Sequence, residues 1–398
     1  MVLFLEISFG LAVAALVYSY GGFSLLLLLI AKLLNRQVKK GDFTPRVTVI
    51  IAAYNEQHSI AAKLDNVLGL DYPSQHLEVI VASDGSDDAT KRIASAYVHK
   101  GVKFLDLPRR GKVFALNDAV NEAQGEILVF SDANTLFLPQ ALRMLVRNFA
   151  DPQVGGVCGN QEHIALEDGD NSSKGEHLYW AYDKWLKTME SLTGSIVSAD
   201  GAIYAIRRTL YRTPSQTDVT DDFAISTAVI EQGYRLVFES DALAHEKAST
   251  KAENEFIRKV RIMNRGLRGV MMRKKLLNPL KYGVYSLILF SHKVLRRLVP
   301  FMLIWLLATS LLLAVSSPFF RWVSAAQLLF YLLAFLGYVL RNTQVGHSKI
   351  LYVPFFFCLA NAAAFVAILK LLRGKRIEFW QPHRESLDEK KLVKTEVL

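Results

Sequence analysis

Cysteine is almost absent from this chain. Cys158 and Cys358 are the two present in 398 residues. They stand far apart in segments of different composition, which excludes a disulfide framework and a cysteine-rich metal site and suits a reducing compartment. Acidic residues are in deficit, 37 against 47 Lys and Arg, for a net charge of +10. The basic excess lies at Lys32, Arg36, Lys39 and Lys40, through residues 258–281, and at Arg296 and Arg297, beside apolar stretches. No groove-reading motif accompanies it, so nucleic acid is excluded as a partner and membrane lipids with anionic headgroups are expected instead. A basic flank is missing ahead of the first apolar run, which excludes a cleaved signal peptide, since those carry the opposite charge order.

Long uncharged runs are missing from residues 38–275, whose composition is that of a soluble α/β domain, yet they fill residues 1–34 and 298–372. The chain is 51% apolar, too much for an ordinary soluble protein. A membrane-embedded enzyme in three parts is expected: an anchor over 1–37, a cytoplasmic domain over 38–273, and interfacial and transmembrane segments with a basic tail over 274–398. Residues 7–30 suffice for one crossing. The basic residues that follow put the N-terminus outside and residue 40 inside.

The central part repeats a strand and then a helix. Residues 46–53 run into Tyr54-Asn55-Glu56 and a helix over 59–68. Residues 77–82 run into Ser83-Asp84-Gly85-Ser86-Asp87-Asp88 and a helix over 89–98. Residues 102–107 lead to Arg109-Arg110-Gly111-Lys112 and a helix through 124, and the strand at 126–130 ends in Ser131-Asp132-Ala133-Asn134. Such repetition implies a mainly parallel sheet covered on both faces, with the polar clusters at the strand exits lining one crevice. There Asp132 and Asn134 would offer oxygens to a hard divalent cation that keeps waters and phosphates as its other ligands. Asp84 could accept from a base edge or ribose, and Lys112 at a helix start could face a diphosphate. The same residues also suit caps, turns and solvated surface, and those readings stay open.

The order Ala52-Ala53-Tyr54-Asn55-Glu56, then residues 83–88, then Gly111-Lys112 with Ala115-Leu116-Asn117, then Ser131-Asp132-Ala133-Asn134 resembles the inverting family 2 glycosyltransferases of GT-A fold. The resemblance implies a nucleotide-sugar donor, a UDP-sugar, held around Ala53, Tyr54, Asn55, Glu56, Asp84, Lys112, Asn117, Ser131 and Asp132. It further implies that Asp84 contacts the uracil and that Mg2+ or Mn2+ sits at Asp132 and Asn134. Asn134 stands where that family has a second Asp, which predicts looser metal binding. Inverting transfer needs a base for the acceptor hydroxyl, and the carboxylates opening the helix over 223–232 suit that role. The family motif assigns it to Asp222, with Asp221 as the alternative.

Farther on, a strand is expected over 154–159, an aromatic-bearing amphipathic helix over 172–191 and an extended segment over 194–206. Arg258, Arg261 and Arg265 share one face of a basic helix over 256–266. Processive family members carry Gln-x-x-Arg-Trp at this point. Arg265 alone matches, with Ile262 and Gly266 in the other two places, so single or few additions are expected. Arg261 and Arg265 become diphosphate or acceptor contacts. Residues 379–384 resemble the Trp-containing loop of hyaluronan and cellulose synthases, which adds Trp380 and Arg384.

Residues 274–297 read as an interfacial helix, 298–315 and 323–340 as spans, and 351–372 as partly interfacial or re-entrant, because the basic residues from Lys370 onward favour a tail inside. The expected protein is a multi-pass enzyme of the bacterial inner membrane that moves a sugar to a lipid-linked or growing glycan acceptor. A processive polysaccharide synthase and an inactive nucleotide-binding scaffold are the alternatives.

Overall fold

The computed structural model describes residues 1–42, 44–164, 171–214, 219–247, 252–346 and 348–374. Trp380 and Arg384 lie outside the described residues. Strand β1 (Val47–Ala53) is buried at all seven positions. Ile50 and Ala52 face one core, whereas Val49, Ile51 and Ala53 face a second on the other side of the sheet. Burial on both faces is what allows so continuous an apolar run. Each such Ile or Val contributes roughly 1.5–3 kcal/mol.

Strands β2 (Leu77–Asp84), β3 (Val102–Leu107) and β4 (Ile127–Asp132) join β1 in parallel. Helices α2 (Ile60–Leu68), α3 (Thr90–Ser95) and α4 (Lys112–Glu122) connect them. Beyond β4 the sheet becomes mixed, with β5 (Thr135–Phe137), helix α5 (Ala141–Val146), β6 (Val154–Ile164), helix α6 (Asn171–Thr193) and β7 (Ile203–Arg207). Helix α7 (Asp221–Glu231), β8 (Arg235–Lys247) and helix α8 (Ala252–Met272) complete the domain. The strand order is β3-β2-β1-β4-β7-β6-β8-β5, with β7 antiparallel to both of its neighbours and β5 antiparallel to β8. The parallel half was expected. The extended segment over 194–206 shrinks to β7, and β8 was not foreseen.

Among the described residues, four helices are long and apolar enough to cross a membrane: α1 (Val2–Leu34), α9 (Val284–Leu313), α10 (Pro318–Val339) and α11 (Lys349–Leu372). Two expectations need correction. The interfacial helix over 274–297 does not form as one unit: Lys274–Leu277 and Pro279–Tyr282 are short turns, after which α9 starts at Val284. Its first turns are covered by the domain rather than by headgroups, since Tyr285, Ile288 and Leu289 belong to the sheet core and the Tyr285 hydroxyl donates to Val197 O at 2.8 Å. The re-entrant reading of 351–372 also fails, because α11 is a continuous helix of 24 residues packed along α10 and α8. Asn264 of α8 donates to Ala367 O of α11 at 2.9 Å.

Candidate active site

The site grows from the carboxyl ends of the parallel strands. After β1 the chain turns through Asn55, whose φ of 54° is tolerated by a short amide side chain. Asn55 Oδ1 accepts from Asp87 N at 3.0 Å, and Glu56 N donates to Thr90 Oγ1 at 2.7 Å, so these two residues knit the first exit loop to the second. Asp84 ends β2 with both carboxylate oxygens engaged: Arg109 Nη1 donates at 2.5 Å, Arg110 N at 2.8 Å and Gly111 N at 2.9 Å. The guanidinium of Arg109 in turn lies 3.3 Å over the ring of Tyr54. Asp84 therefore anchors the loop that starts α4. Gly85 makes the approach possible, with φ at 66° and room for no Cβ, which would meet Arg109 N at 2.7 Å.

That loop presents Lys112, whose ammonium lies 2.7 Å from Asp132 Oδ1 and 3.1 Å from Asp221 Oδ2. Burial disfavours the charge on Lys112, but these two carboxylates outweigh it and hold its pKa above the ordinary value. Asp221 is likewise penalised by burial, and Lys112 and Arg265 overcome that, keeping it ionised. Asp222 moves the other way. Burial, and then the negative charge of Asp221, push it up to about 6, partly offset by the hydrogen bond it accepts from Phe223 N at 2.7 Å. Two adjacent carboxylates at the mouth of α7 are thus split into a permanent anion and a group poised near neutrality, the pattern expected of a general base.

Gly201 fixes the remaining geometry. A Cβ at that position would stand 3.6 Å from Asp132 Oδ2 and 4.0 Å from Asp222 Oδ2. Residues far apart in sequence, Asp132 and Asp222, thus bring their carboxylates to one space.

Other predicted residues sit elsewhere. Ala53 is buried in β1. Ser131 is buried beneath Asp132, accepting from Lys63 Nζ at 2.7 Å and donating to Ala202 O at 3.0 Å. Asn117 is buried as well, holding the Tyr211 hydroxyl at 2.5 Å and Pro214 O at 3.0 Å. These three shape the site from behind. Arg265 donates to Val219 O at 2.7 Å and so steadies the approach to Asp221. Burial, and then the charges of Arg265 and Arg258 on the same helix, depress the pKa of Arg261.

Two residues were missed by sequence reasoning. Lys63 is wholly buried, and its ammonium bonds Ser131 Oγ and, at 2.6 Å, Thr135 O, clamping both ends of the Asp132 loop. Burial, opposed by Asp132, brings its pKa down to about 7. Glu246 on β8 accepts from Asn134 Nδ2 at 2.8 Å, and burial followed by the charge of Asp132 raises its pKa. The order of carboxylates in the sequence offers no signal for Glu246, because it depends on the pairing of β5 with β8.

The described residues contain no cluster of three or more His, Cys, Asp or Glu suited to hold a metal by themselves. Lys112 engages Asp132 Oδ1 and Glu246 engages Asn134 Nδ2, so Asp132 Oδ2 and Asn134 Oδ1 are the oxygens that a divalent ion would take here, with water and a diphosphate as its other ligands.

Residues 48–213 match the family described as glycosyl transferase family 2. Curated relatives include poly-beta-1,6-N-acetyl-D-glucosamine synthases. That of Staphylococcus epidermidis is 28% identical over 203 residues, covering 50% of this chain and 48% of the relative. That of Staphylococcus aureus (strain COL) is 29% identical over 208 residues, with the same shares covered. The match thus spans about half the length of these relatives. A solved mannosyltransferase, PcManGT from Pyrobaculum calidifontis in complex with GDP-Man and Mn2+, superposes with a TM-score of 0.68 at 24% identity, over 93% of this chain and 100% of that one. The shared architecture is the GT-A fold.

Proposed function

From a glycosyl transferase family 2 domain as premise, we propose that this chain is a membrane-bound inverting glycosyltransferase that moves a sugar from a nucleotide sugar to an acceptor presented at the bilayer. The observation that carries this reading is the convergence of Asp132 and a pKa-raised Asp222 on the space beside Gly201. Asp222 takes the proton of the acceptor hydroxyl. Lys112, held by Asp84's loop, supplies positive charge near the leaving diphosphate, and Arg265 keeps Asp221 and its neighbour in place. Asp132, with the Asn134 side chain, would hold Mg2+ or Mn2+, which as a Lewis acid stabilises the departing nucleoside diphosphate. Attack from the Asp222 side inverts the anomeric centre, so an α-linked donor gives a β-glycoside.

The domain over residues 38–273 is cytoplasmic in this reading, between an anchor over 1–37 and the membrane helices over 274–398 of a bacterial inner-membrane protein. The basic residues that follow α1 support that orientation. The donor is a UDP-sugar and the acceptor is lipid-linked. The names of the curated relatives favour a second reading, processive synthesis of a polysaccharide. The test is to incubate the detergent-solubilised full chain with UDP- and GDP-sugars and lipid-linked acceptors, then weigh the products and assay released nucleotide. Free nucleoside diphosphate and a product lengthened by one or a few sugars support transfer. Pyrophosphate release points to nucleotidyl transfer, and a long polymer to the processive reading. An Asp222→Asn variant that transfers as well as wild type removes Asp222 as the base, and binding of nucleotide sugar without any turnover leaves only a scaffold.

A further inference from the structure

Two π turns meet where the membrane helices enter the domain: Tyr18–Gly22 in α1 and Phe290–Leu295 in α9. The Tyr18 hydroxyl and Ser291 Oγ join them at 2.8 Å. Such turns break the helical register locally and often mark functional positions. The α9 turn directs its basic residues toward the domain. His292 Nδ1 lies 2.8 Å from Glu190 Oε1 of α6.

Lys293 differs from its neighbour. Among the described residues its ammonium has no hydrogen bond or ion pair, yet the carboxylates of Asp200, Asp222 and Asp183 are within its electrostatic reach. Asp183 and Asp200 are already paired with Lys187, the first at 2.6 Å. One turn along α9, Arg297 Nη1 donates to Lys293 O at 2.8 Å, and its Nη2 stands 3.9 Å from where a Cβ would be at Gly266. Arg297 therefore packs against α8 at Gly266, next to Arg265. Lys293 thus stands within electrostatic reach of Asp222, with Arg297 one turn farther along the same helix, and a half-buried ammonium without a partner favours an anion beside it.

We propose that Lys293 and Arg297 form a subsite for a phosphate ester carried by the acceptor lipid, which sets the reacting hydroxyl against Asp222. This rests on the transferase reading above. A lipid source is favoured because the same helix continues into an apolar cavity of about 420 Å3, lined by Leu303 and Leu306 with Phe9, Phe330 and Phe357. At 1.5 Å per residue that cavity begins roughly 15 Å beyond Lys293, a distance an isoprenoid chain spans easily.

The experiment uses the full chain in nanodiscs, titrated with a polyprenyl monophosphate, the matching polyprenol and inorganic phosphate, with donor nucleotide binding measured in parallel. Wild type should prefer the phosphate ester to the alcohol by about tenfold or more. Lys293→Met should abolish that preference while nucleotide affinity and melting temperature stay as in wild type, and Lys293→Arg should keep it. Arg297→Lys, which retains charge near the turn, should weaken it less than Lys293→Met. Equal binding of ester and alcohol by wild type, or an undiminished preference in Lys293→Met, overturns the subsite. Inorganic phosphate binding as tightly as the ester overturns the lipid assignment. Use of a neutral oligosaccharide acceptor in preference to a phosphorylated one, with nucleoside diphosphate released, also overturns this inference but leaves the transferase reading standing. Absence of any nucleotide-sugar turnover counts against that reading instead.

Discussion

Lys112 donates to Asp132 across 2.7 Å and pairs with Asp221 at 3.1 Å, so one ammonium ties the exit of β4 to the entry of α7. The consequence is electrostatic. With Asp221 held ionised by this cation, its negative charge falls on Asp222 and adds to the effect of burial.

A base must be unprotonated to act, so kcat/KM for transfer should fall as pH drops below about 6, the value to which Asp222 is pushed. Asp222→Asn should remove that limb and cut transfer by about 10²–10⁴-fold, with nucleotide binding retained. The stability effect has a definite sign. A carboxyl whose folded pKa is raised binds its proton more tightly when folded, so this group costs stability as pH rises from the ordinary carboxylate range through about 6. Melting of Asp222→Asn at pH 7.5 (about one and a half pH units above that value) should therefore occur at or above the wild-type temperature. A lower melting point there contradicts the assigned environment.

Lys112→Met removes the cation that lowers both carboxylates of the pair. Their pKa values should rise, moving the acid limb of the transfer profile to higher pH and cutting the rate at pH 7 by about tenfold or more. An unshifted profile with a uniformly lower rate would mean that Lys112 acts on the donor alone.

The parallel half of the fold was legible because strands buried on both faces must be nearly continuous apolar runs, as in β1 and β4. β8 escaped notice because Glu239, Ser240 and Asp241 interrupt its apolar residues like a turn, and its bonding to β6 shifts register between Cys158 and Asn160. Its partner lies in another part of the chain, and no local pattern reports that. Asp132 and Asp222 were legible as carboxylates at a strand exit and a helix mouth. Lys63 was not, since a lysine within an amphipathic helix reads as solvated, and only the fold reveals its ammonium buried between Ser131 and Thr135. The start of α9 was misplaced for a related reason: contact with the sheet core decides it, rather than composition.

Lys63→Met should loosen the Asp132 loop, because both of its tethers are lost while the apolar stem is kept. The expected signature is weaker binding of Mn2+ with nucleoside diphosphate, by about tenfold, with a smaller loss in melting temperature than a buried apolar truncation gives. Calorimetric titration measures the first and differential scanning the second. Binding equal to wild type would relegate Lys63 to packing.

Two glycines separate the site from the scaffold. Gly201→Ala puts a methyl 3.6 Å from Asp132 Oδ2, an ordinary contact at a position without a positive φ, so the protein should melt as wild type while transfer drops steeply. Gly85→Ala meets Arg109 N at 2.7 Å with φ at 66°, and should cost about 1–3 kcal/mol of stability. Thermal melts and turnover on both variants check the pair. Wild-type turnover in Gly201→Ala would show that the sugar does not pass between the two carboxylates.

Asn134 and Glu246 offer the sharpest contrast with expectation from family likeness, which would have an Asp at 134. Asn134 Nδ2 donates to Glu246 Oε1, and Asp132 already raises the pKa of Glu246. Asn134→Asp deletes that donor and sets a third carboxylate beside two others, so restoring the family residue should lower stability above neutral pH and push Glu246 up further. Glu246→Gln in the same chain relieves the repulsion and can donate to the new carboxylate. The double variant should thus regain stability and bind Mn2+ more tightly than Asn134→Asp, as read by electron paramagnetic resonance of free Mn2+. Additive losses in the double variant would show that the two side chains do not act on one another.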